Sequence, residues 1–209
     1  MTSGRDKHHT RTMLGETNSE WRTERRTAAQ RDIVAAAWEL AREHGLAGFS
    51  LRDLARRLGM ATPSLYSYFE SKRALYDAMF VDGNRAMLAM DAPAQSDDVR
   101  ATLGNVLHFI VQFSLAEPVR YQLLAQRTIP GFEPSTDAYA LAQQAYDWLF
   151  APLRAVVDVT QDDLDLITAV MTGLINQQLA NDPGGTRWVR LLDDAAELFM
   201  PRLMQRKRI

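Results

Sequence analysis

The segment from residue 49 to residue 75 concentrates side chains that can hydrogen-bond to nucleic acid. Its hydroxyl groups crowd one short stretch at Thr62, Ser64, Tyr66 and Ser67. Cations surround that stretch at Arg52, Arg56, Arg57 and Lys72. Short hydroxyl side chains and a tyrosine can enter a DNA major groove, and cationic groups can neutralise phosphates. The pattern favours DNA binding, although in helical proteins a pair of arginines is also commonly a solvated surface.

A second group of reactive side chains is a run of carboxylates. Asp162, Asp163 and Asp165 could serve a helical enzyme as metal ligands or as acid–base groups. Thr160 precedes them as a helix cap, so they are better interpreted as first-turn carboxylates that counter the helix dipole. The sequence contains no cysteine, glycine-rich phosphate loop, nucleophile elbow or His-Glu metal motif. We therefore expect no catalytic residue, no metal site and no cofactor.

Two short predicted helices joined by a tight turn carry the hydroxyl and cationic groups. Ser50 and Asp53 have the spacing of a capping box that starts the first helix, and Gly59 can adopt the left-handed conformation that ends it. Thr62 is predicted to cap the second helix, with Pro63 at its first position. This order is typical of a helix-turn-helix.

Apolar residues at three- and four-residue spacing predict helices along most of the chain. The first helix is predicted from Thr27 to His44, and Ser71 and Ser96 are predicted to cap two later helices. Those two and the remaining helices are predicted at residues 72–90, 97–116, 118–127, 135–157, 161–181 and 186–206. The sequence therefore predicts an all-α fold, with an N-terminal three-helix DNA-binding domain and a C-terminal helical bundle.

The charge of the chain is uneven. Residues 1–75 hold 13 Lys and Arg against 9 Asp and Glu, whereas residues 76–209 hold 11 against 17. A basic N-terminal third is expected where a chain meets a polyanion. The chain is 46% hydrophobic and lacks both an apolar run of roughly 18 residues for a membrane span and the apolar stretch of a secretory signal. We expect a globular cytoplasmic protein with no membrane partner.

Three sequence runs resemble the DNA-binding domain of the tetracycline-repressor (TetR) family. They are LARRLG at 54–59, PSLYSYF at 63–69 and KRAL at 72–75, and the resemblance covers about residues 27–75. The glycine, the Leu-Tyr pair and the lysine keep the spacing of the family. The resemblance implies a homodimer that represses transcription from palindromic operators in double-stranded DNA. It also implies that a small molecule, bound in the C-terminal bundle, releases the repressor from DNA.

The resemblance further implies particular DNA contacts. Arg52 matches a base or phosphate contact, and Tyr66 and Lys72 match phosphate contacts. The other predicted DNA-binding residues are Thr62, Pro63, Ser64, Ser67 and Tyr68. Leu51 departs from the hydroxyl residue that several members have at this position, so a hydroxyl contact to the DNA backbone is in doubt here.

Three regions follow from these patterns: a flexible arm at residues 1–24, the DNA-binding domain at residues 25–75 and a ligand-binding and dimerisation domain at residues 76–209. Near the end of the arm, Arg22, Arg25 and Arg26 either reach the DNA backbone or minor groove, or form a solvated surface. Two histidines of the arm have no third metal ligand at a useful spacing; they are His8 and His9.

The C-terminal domain is expected to hold an effector. The candidate cavity residues are Met87, Phe109, Phe113, Tyr121, Trp148 and Met171, with His108, Gln112 and Asn176 as polar contacts. Nine methionines favour a lipophilic effector, because thioether side chains adapt to irregular ligands. The alternative is a DNA-binding regulator that needs no effector.

The C-terminal domain is also expected to dimerise. The resemblance implies that the last two helices pair with those of a second copy in a four-helix bundle. The predicted interface residues are Leu164, Ile167, Leu174, Trp188, Leu192 and Phe199. The alternative is that these apolar stripes close the core of a single chain.

Overall fold

The structure, a computed structural model, is all-helical over the residues it describes. It describes residues 7–205, and the side chains of residues 21–205; residues 1–6 of the predicted arm and the side chains of His8 and His9 lie outside this part. The helices are α1 (Lys7–His44), α2 (Leu51–Arg57), α3 (Thr62–Tyr66), α4 (Lys72–Leu88), α5 (Val99–Ala116), α6 (Pro118–Ala125), α7 (Thr136–Val156), α8 (Gln161–Asn181), a 3₁₀ helix (Val189–Leu191) and α9 (Leu192–Met204). No strand occurs between residues 7 and 205, which confirms the predicted all-α class.

The chain divides into two compact units, Met1–Met79 and Phe80–Ile209. In the first unit, α2 packs against α1 and α3, and Leu54 and Leu65 are fully buried. Burial of one such leucine stabilises the fold by about 2 kcal/mol. In the second unit, α5 packs against α6, α7, α8 and α9. The described part of the chain contains no helix both long enough and apolar enough to cross a membrane.

Several predicted helix starts are confirmed. The Ser50 hydroxyl accepts from the Asp53 amide at 3.2 Å, and the Asp53 carboxylate accepts from the Ser50 amide at 2.9 Å, which completes the capping box of α2. Ser71 likewise accepts from a backbone amide in the first turn of α4. Gly59 has a φ of +64°, so it makes the turn between α2 and α3 without the strain that a side chain would add.

The predicted start of the first helix is wrong, because α1 begins at Lys7 rather than at Thr27. The prediction followed apolar spacing, and residues 21–28 are all exposed, so this part of the helix has no buried stripe to detect. A helix that is packed further along the chain can nevertheless propagate by one backbone hydrogen bond per residue, and residues 7–26 contain no proline that would remove such a bond.

Two predicted caps are also wrong. The N-cap of α3 is Ala61 rather than Thr62, and Pro63 still lies in the first turn. Proline is tolerated there because the first N–H groups of a helix have no partner within the helix. The N-cap of α5 is Asp98, whose carboxylate accepts from the Arg100 amide at 2.9 Å. Ser96 lies before the helix, where its backbone carbonyl accepts a hydrogen bond from the Thr102 hydroxyl.

The last helix begins at Leu192, six residues later than residue 186 of the prediction. A 3₁₀ turn precedes it, because the buried Gln178 side chain accepts from the amides of Trp188 at 2.9 Å and Val189 at 3.3 Å. These bonds hold the connection in a non-helical path that apolar spacing does not report.

Candidate nucleic-acid interface and interior cavity

Helix α3 turns one side chain inward and most of its others outward. Leu65 is fully buried and anchors the helix. Pro63, Ser64 and Ser67 are exposed, and 49% of Tyr66 is exposed. The predicted groove-facing residues of this helix therefore lie where a macromolecule can reach them.

A shallow depression brings together four of the predicted DNA-binding residues. We call it the basic depression, and its wall is formed by Phe49, Ser50, Leu51, Arg52, Thr62, Tyr66, Glu70, Ser71 and Lys72. Arg52, Lys72, and the hydroxyls of Thr62 and Tyr66 offer donors that suit a phosphate. Glu70 places a carboxylate in the same wall, so an anion fits only at a distance from that side chain. Ser67 and Tyr68 lie outside the depression.

Lys72, predicted to contact phosphate, also makes several contacts within the protein. Its Nζ donates to the Phe49 carbonyl and, at 3.3 Å, to the Ala47 carbonyl. The same ammonium lies 4.7 Å from the ring centroid of Phe49 and 5.2 Å from that of Tyr76. Burial lowers the pKa of Lys72, and the nearby Asp53 opposes this shift. Lys72 therefore ties the start of α4 to the loop after α1, and its third N–H can still donate to a phosphate.

Arg26 holds the end of α3. Its guanidinium donates to the Ser67 carbonyl at 2.6 Å and lies 5.4 Å from the ring centroid of Tyr68. Ser67 is the C-cap of α3, so this bond satisfies a carbonyl at the helix end. Sequence patterns gave no signal for this contact, because 41 residues separate its partners.

The arginine pair of α2 makes ion pairs within the protein. Arg57 donates to both carboxylate oxygens of Glu43 at 2.8 Å and lies 3.3 Å from Glu39. These bonds lower the pKa of Glu43. Arg56 lies 3.1 Å from Asp53. The fork of Arg57 is therefore occupied by carboxylates of α1, and neutralisation of phosphates by the two arginines stays a prediction.

The second unit contains a cavity of about 280 Å³. Its wall is formed by Asn84, Met87, Ile110, Phe113, Ser114, Tyr121, Leu124, Ala125, Ala142, Gln143, Ala145, Tyr146, Leu149, Phe150, Thr168, Met171, Thr172 and Ile175. Four of the predicted cavity residues belong to this wall: Met87, Phe113, Tyr121 and Met171. Gln143 and Thr168 are exposed, so they form its rim.

Two of the predicted aromatic residues do not line the cavity. The rings of Phe109 and Trp148 pack edge to face, 5.4 Å apart, against the core of the unit. His108 and Gln112 are exposed and are also not part of the wall. Apolar spacing did not separate Phe109 from the wall residue Phe113, because the two are four residues apart on α5 and are both half-buried.

Asn176 lies behind the cavity wall. Its Oδ1 accepts from the Tyr121 hydroxyl at 3.0 Å and from Gln126 Nε2 at 2.5 Å. Burial raises the pKa of Tyr121, so this phenol stays protonated at neutral pH. Asn176 therefore orients a wall residue and is not itself part of the wall.

Four predicted interface residues belong to the core of one chain. At most 7% of Leu164, Ile167, Leu192 or Phe199 is exposed, so the prediction that they form an interface is wrong. Leu174 and Trp188 are half-buried.

The opposite faces of α8 and α9 carry exposed leucines. The exposed fractions of Leu166 and Leu198 are 45% and 72%. The apolar spacing correctly identified a buried face of each helix. That face closes the core of a single chain, which was the alternative interpretation of these apolar stripes.

The carboxylate run starts α8. Asp163 is buried and completes a capping box with Thr160, while its other oxygen accepts from Arg202 Nε of α9. Asp162 and Asp165 are exposed. The interpretation as first-turn groups is confirmed for Asp162 and Asp163, whereas Asp165 lies beyond the first turn. No group of three or more histidines and carboxylates suited to a metal occurs among the side chains that the structure describes.

Comparison with known proteins agrees with this geometry. The family described as "Bacterial regulatory proteins, tetR family" matches residues 33–79. The class A tetracycline repressor of transposon 1721 from Escherichia coli is 31% identical over 167 residues, which cover 74% of this chain and 69% of that protein.

Other relatives match in sequence or in fold. The HTH-type transcriptional regulator Mb1846 of Mycobacterium bovis is 32% identical over 131 residues, which cover 57% of this chain and 54% of the relative. The match thus spans about half the length of that relative. A TetR family transcription regulator from Marinobacter aquaeolei VT8 shares the fold at a TM-score of 0.63 and 17% identity, covering 89% of this chain and 100% of that one. The helix-turn-helix and the similarity to a tetracycline repressor together show that the chain belongs to the TetR family of bacterial transcriptional regulators.

Proposed function

We propose that the protein is a homodimeric repressor that binds a palindromic operator through α3 and is released by a small, lipophilic effector. The observation that carries this proposal is the exposed hydroxyl face of α3 beside the basic depression. The protein is proposed to act on operator DNA, so we place the protein in the cytoplasm.

Phosphate contacts position such a protein, and base contacts specify its site. We assign Arg52, Tyr66 and Lys72 to phosphates, because these donors share the basic depression. We assign Ser64 to a base edge, because its exposed hydroxyl lies on the outer side of α3. Thr62, Pro63 and Ser67 would face the groove beside it.

Dimerisation is proposed to use the outer faces of α8 and α9. Leu166, Val170 and Leu174 follow one another at four-residue spacing, so they share a face of α8. Leu198 adds an exposed apolar side chain on α9. A symmetric pair would set two α3 helices against two half-sites of the operator, about one DNA turn apart.

Effector release is supported by the cavity. Because α4 runs from Lys72 to Leu88, one helix carries both a wall residue of the basic depression and two wall residues of the cavity, Asn84 and Met87. An effector that moves the second half of α4 would therefore change the presentation of Lys72. A regulator without an effector, the alternative reading, has no need of such a cavity.

Selection of binding sites from random double-stranded DNA tests the DNA-binding part of the proposal. We expect a palindromic site with salt-dependent affinity. Tyr66→Phe removes one phosphate contact and should weaken binding to all selected sequences by a similar factor of about five. Ser64→Ala should change the preference at particular base pairs.

Two results would contradict this part. If wild-type affinity stays at the non-specific level for every selected sequence, the protein is not an operator-binding repressor. If both substitutions weaken all sequences equally, the division between base and phosphate contacts is wrong.

A further inference from the structure

The cavity wall contains no charged group. Of its eighteen residues, eleven are apolar and seven are uncharged polar residues; none is Asp, Glu, His, Lys or Arg. A charged group placed deep in this cavity, away from the exposed rim, would lose its hydration without gaining a counter-ion, which is costly in an apolar surrounding. The wall therefore selects uncharged molecules.

Two buried hydroxyl groups of the wall have already committed their protons, whereas the buried Asn84 keeps one amide N–H after its bond to the Phe80 carbonyl at 2.9 Å. The Ser114 hydroxyl donates to the Ile110 carbonyl at 2.7 Å, and a carbonyl can only accept, so the hydroxyl proton is committed. The Tyr121 hydroxyl is committed in the same way to Asn176 Oδ1 at 3.0 Å. Both side chains are at least 95% buried. The lone pairs of the Ser114 oxygen remain for a ligand that brings its own N–H or O–H, whereas the Tyr121 oxygen already has Gln126 and Thr172 as hydrogen-bond partners.

We propose that the effector is an uncharged, mainly apolar molecule that carries a hydroxyl or N–H donor. This deepens the proposed function, on which it rests, by naming the chemical class of the effector. The donor would bond to Ser114, and the apolar body would contact Met87, Phe113 and Met171.

Four probes with the same ten-carbon chain test the proposal on the full-length protein. They are 1-decanol, decyl methyl ether, decanoate and decyltrimethylammonium, and their binding is followed by thermal shift and by titration calorimetry below their micellar concentrations. We expect 1-decanol to raise Tm and to bind at least about tenfold more tightly than either charged probe. The ether keeps an acceptor but lacks the donor, so it should bind about fivefold more weakly than the alcohol.

Variants show whether the probes occupy this cavity. Ala142→Phe places a ring at a half-buried wall position and should abolish 1-decanol binding. Gln143→Glu adds a charge at the rim and should improve binding of decyltrimethylammonium several-fold. Gln144→Glu is the matched control, because Gln144 is exposed on the same helix and is not part of the wall.

The outcomes separate this inference from the proposed function. Charged probes that bind as tightly as 1-decanol, or an ether that binds more tightly, would overturn it, and so would failure of all four probes to bind. Operator release is measured in parallel. If 1-decanol binds in the cavity without releasing DNA, the ligand class stands and the proposed release mechanism fails. If a charged probe binds and releases DNA, the class is wrong and the release mechanism stands.

Discussion

At the scale of single residues, Arg26 separates two ways in which a cation can support DNA binding. Its guanidinium is committed to the Ser67 carbonyl and the Tyr68 ring, so it orients the end of α3. We expect Arg26→Ala to lower operator affinity about fivefold, the equivalent of one hydrogen bond of about 1 kcal/mol. Fluorescence anisotropy over a series of salt concentrations measures both the affinity and its salt dependence.

The salt dependence identifies the role of Arg26. A positioning residue leaves the slope of log affinity against log salt unchanged, whereas loss of a phosphate contact reduces that slope by about 1. Arg31→Ala removes an exposed cation from the same helix and is the matched control, with an affinity within about twofold of wild type. A reduced slope in the Arg26 variant would show that the side chain contacts phosphate.

The role of a residue was predictable only where the residues next to it in the sequence determine that role. The exposure of Ser64 and Tyr66 follows from the spacing around the buried Leu65. The partners of Arg57 and Lys72 do not follow, because each contact joins elements that the chain brings together from 14 to 25 residues away. A cation beside a predicted DNA-binding helix therefore has two outcomes, an internal pair or a phosphate contact, and spacing does not decide between them.

At the scale of elements, Asp163 joins α8 to α9. Its carboxylate caps α8 with Thr160 and accepts from Arg202 on α9. Burial raises the pKa of Asp163, but the bonds from Thr160 and Arg202 outweigh it, so the pKa is lowered from the usual 3.8. We expect Asp163→Asn to lower the free energy of unfolding by about 2 kcal/mol at neutral pH, less than for a fully buried pair because Arg202 is partly solvated. Urea denaturation gives this value.

The pH dependence of the free energy of unfolding, measured for wild type and for Asp163→Asn, tests whether the ionised carboxylate of Asp163 causes the difference in stability. A lowered native pKa gives stability that is present above pH 3.8 and is lost as the pH falls toward the native pKa. The difference between wild type and Asp163→Asn should therefore shrink below pH 4, where wild-type Asp163 becomes protonated. Asp162→Asn, at the exposed neighbouring position, should cost less than about 0.5 kcal/mol. A difference that stays constant down to the acid transition would show that the ion pair contributes nothing.

Element boundaries were predictable at three helices where a hydroxyl side chain makes the cap, but not at α5, where Asp98 rather than the predicted Ser96 makes it. Ser50, Ser71 and Thr160 were found because their hydroxyl groups take up backbone amides at a fixed spacing. The start of α1 was not found, because the prediction followed apolar spacing and residues 21–28, which precede the first buried positions of the helix, are all exposed. The start of α9 was not found, because the Gln178 side chain sets it from another helix.

At the scale of the whole molecule, the outer face of α8 and α9 decides whether two copies associate. Leu198 is 72% exposed, so Leu198→Asp should leave the core of the single chain intact while it places a charge in the proposed interface. We expect sedimentation velocity to show monomers, and the affinity for a palindromic operator to fall at least about tenfold, because the second half-site then contributes nothing. Affinity for a single half-site should stay unchanged.

The matched control for the dimer interface is Tyr139→Asp. It also places a charge at an exposed position, 58% accessible, but on α7, so the protein should sediment like wild type. Unfolding in urea should be alike for both variants, since neither side chain belongs to the core. Because a symmetric interface carries each substitution twice, even a small cost per contact is doubled. A dimer that survives Leu198→Asp would exclude Leu198 from the interface, and monomeric wild-type protein would refute the paired binding of two half-sites.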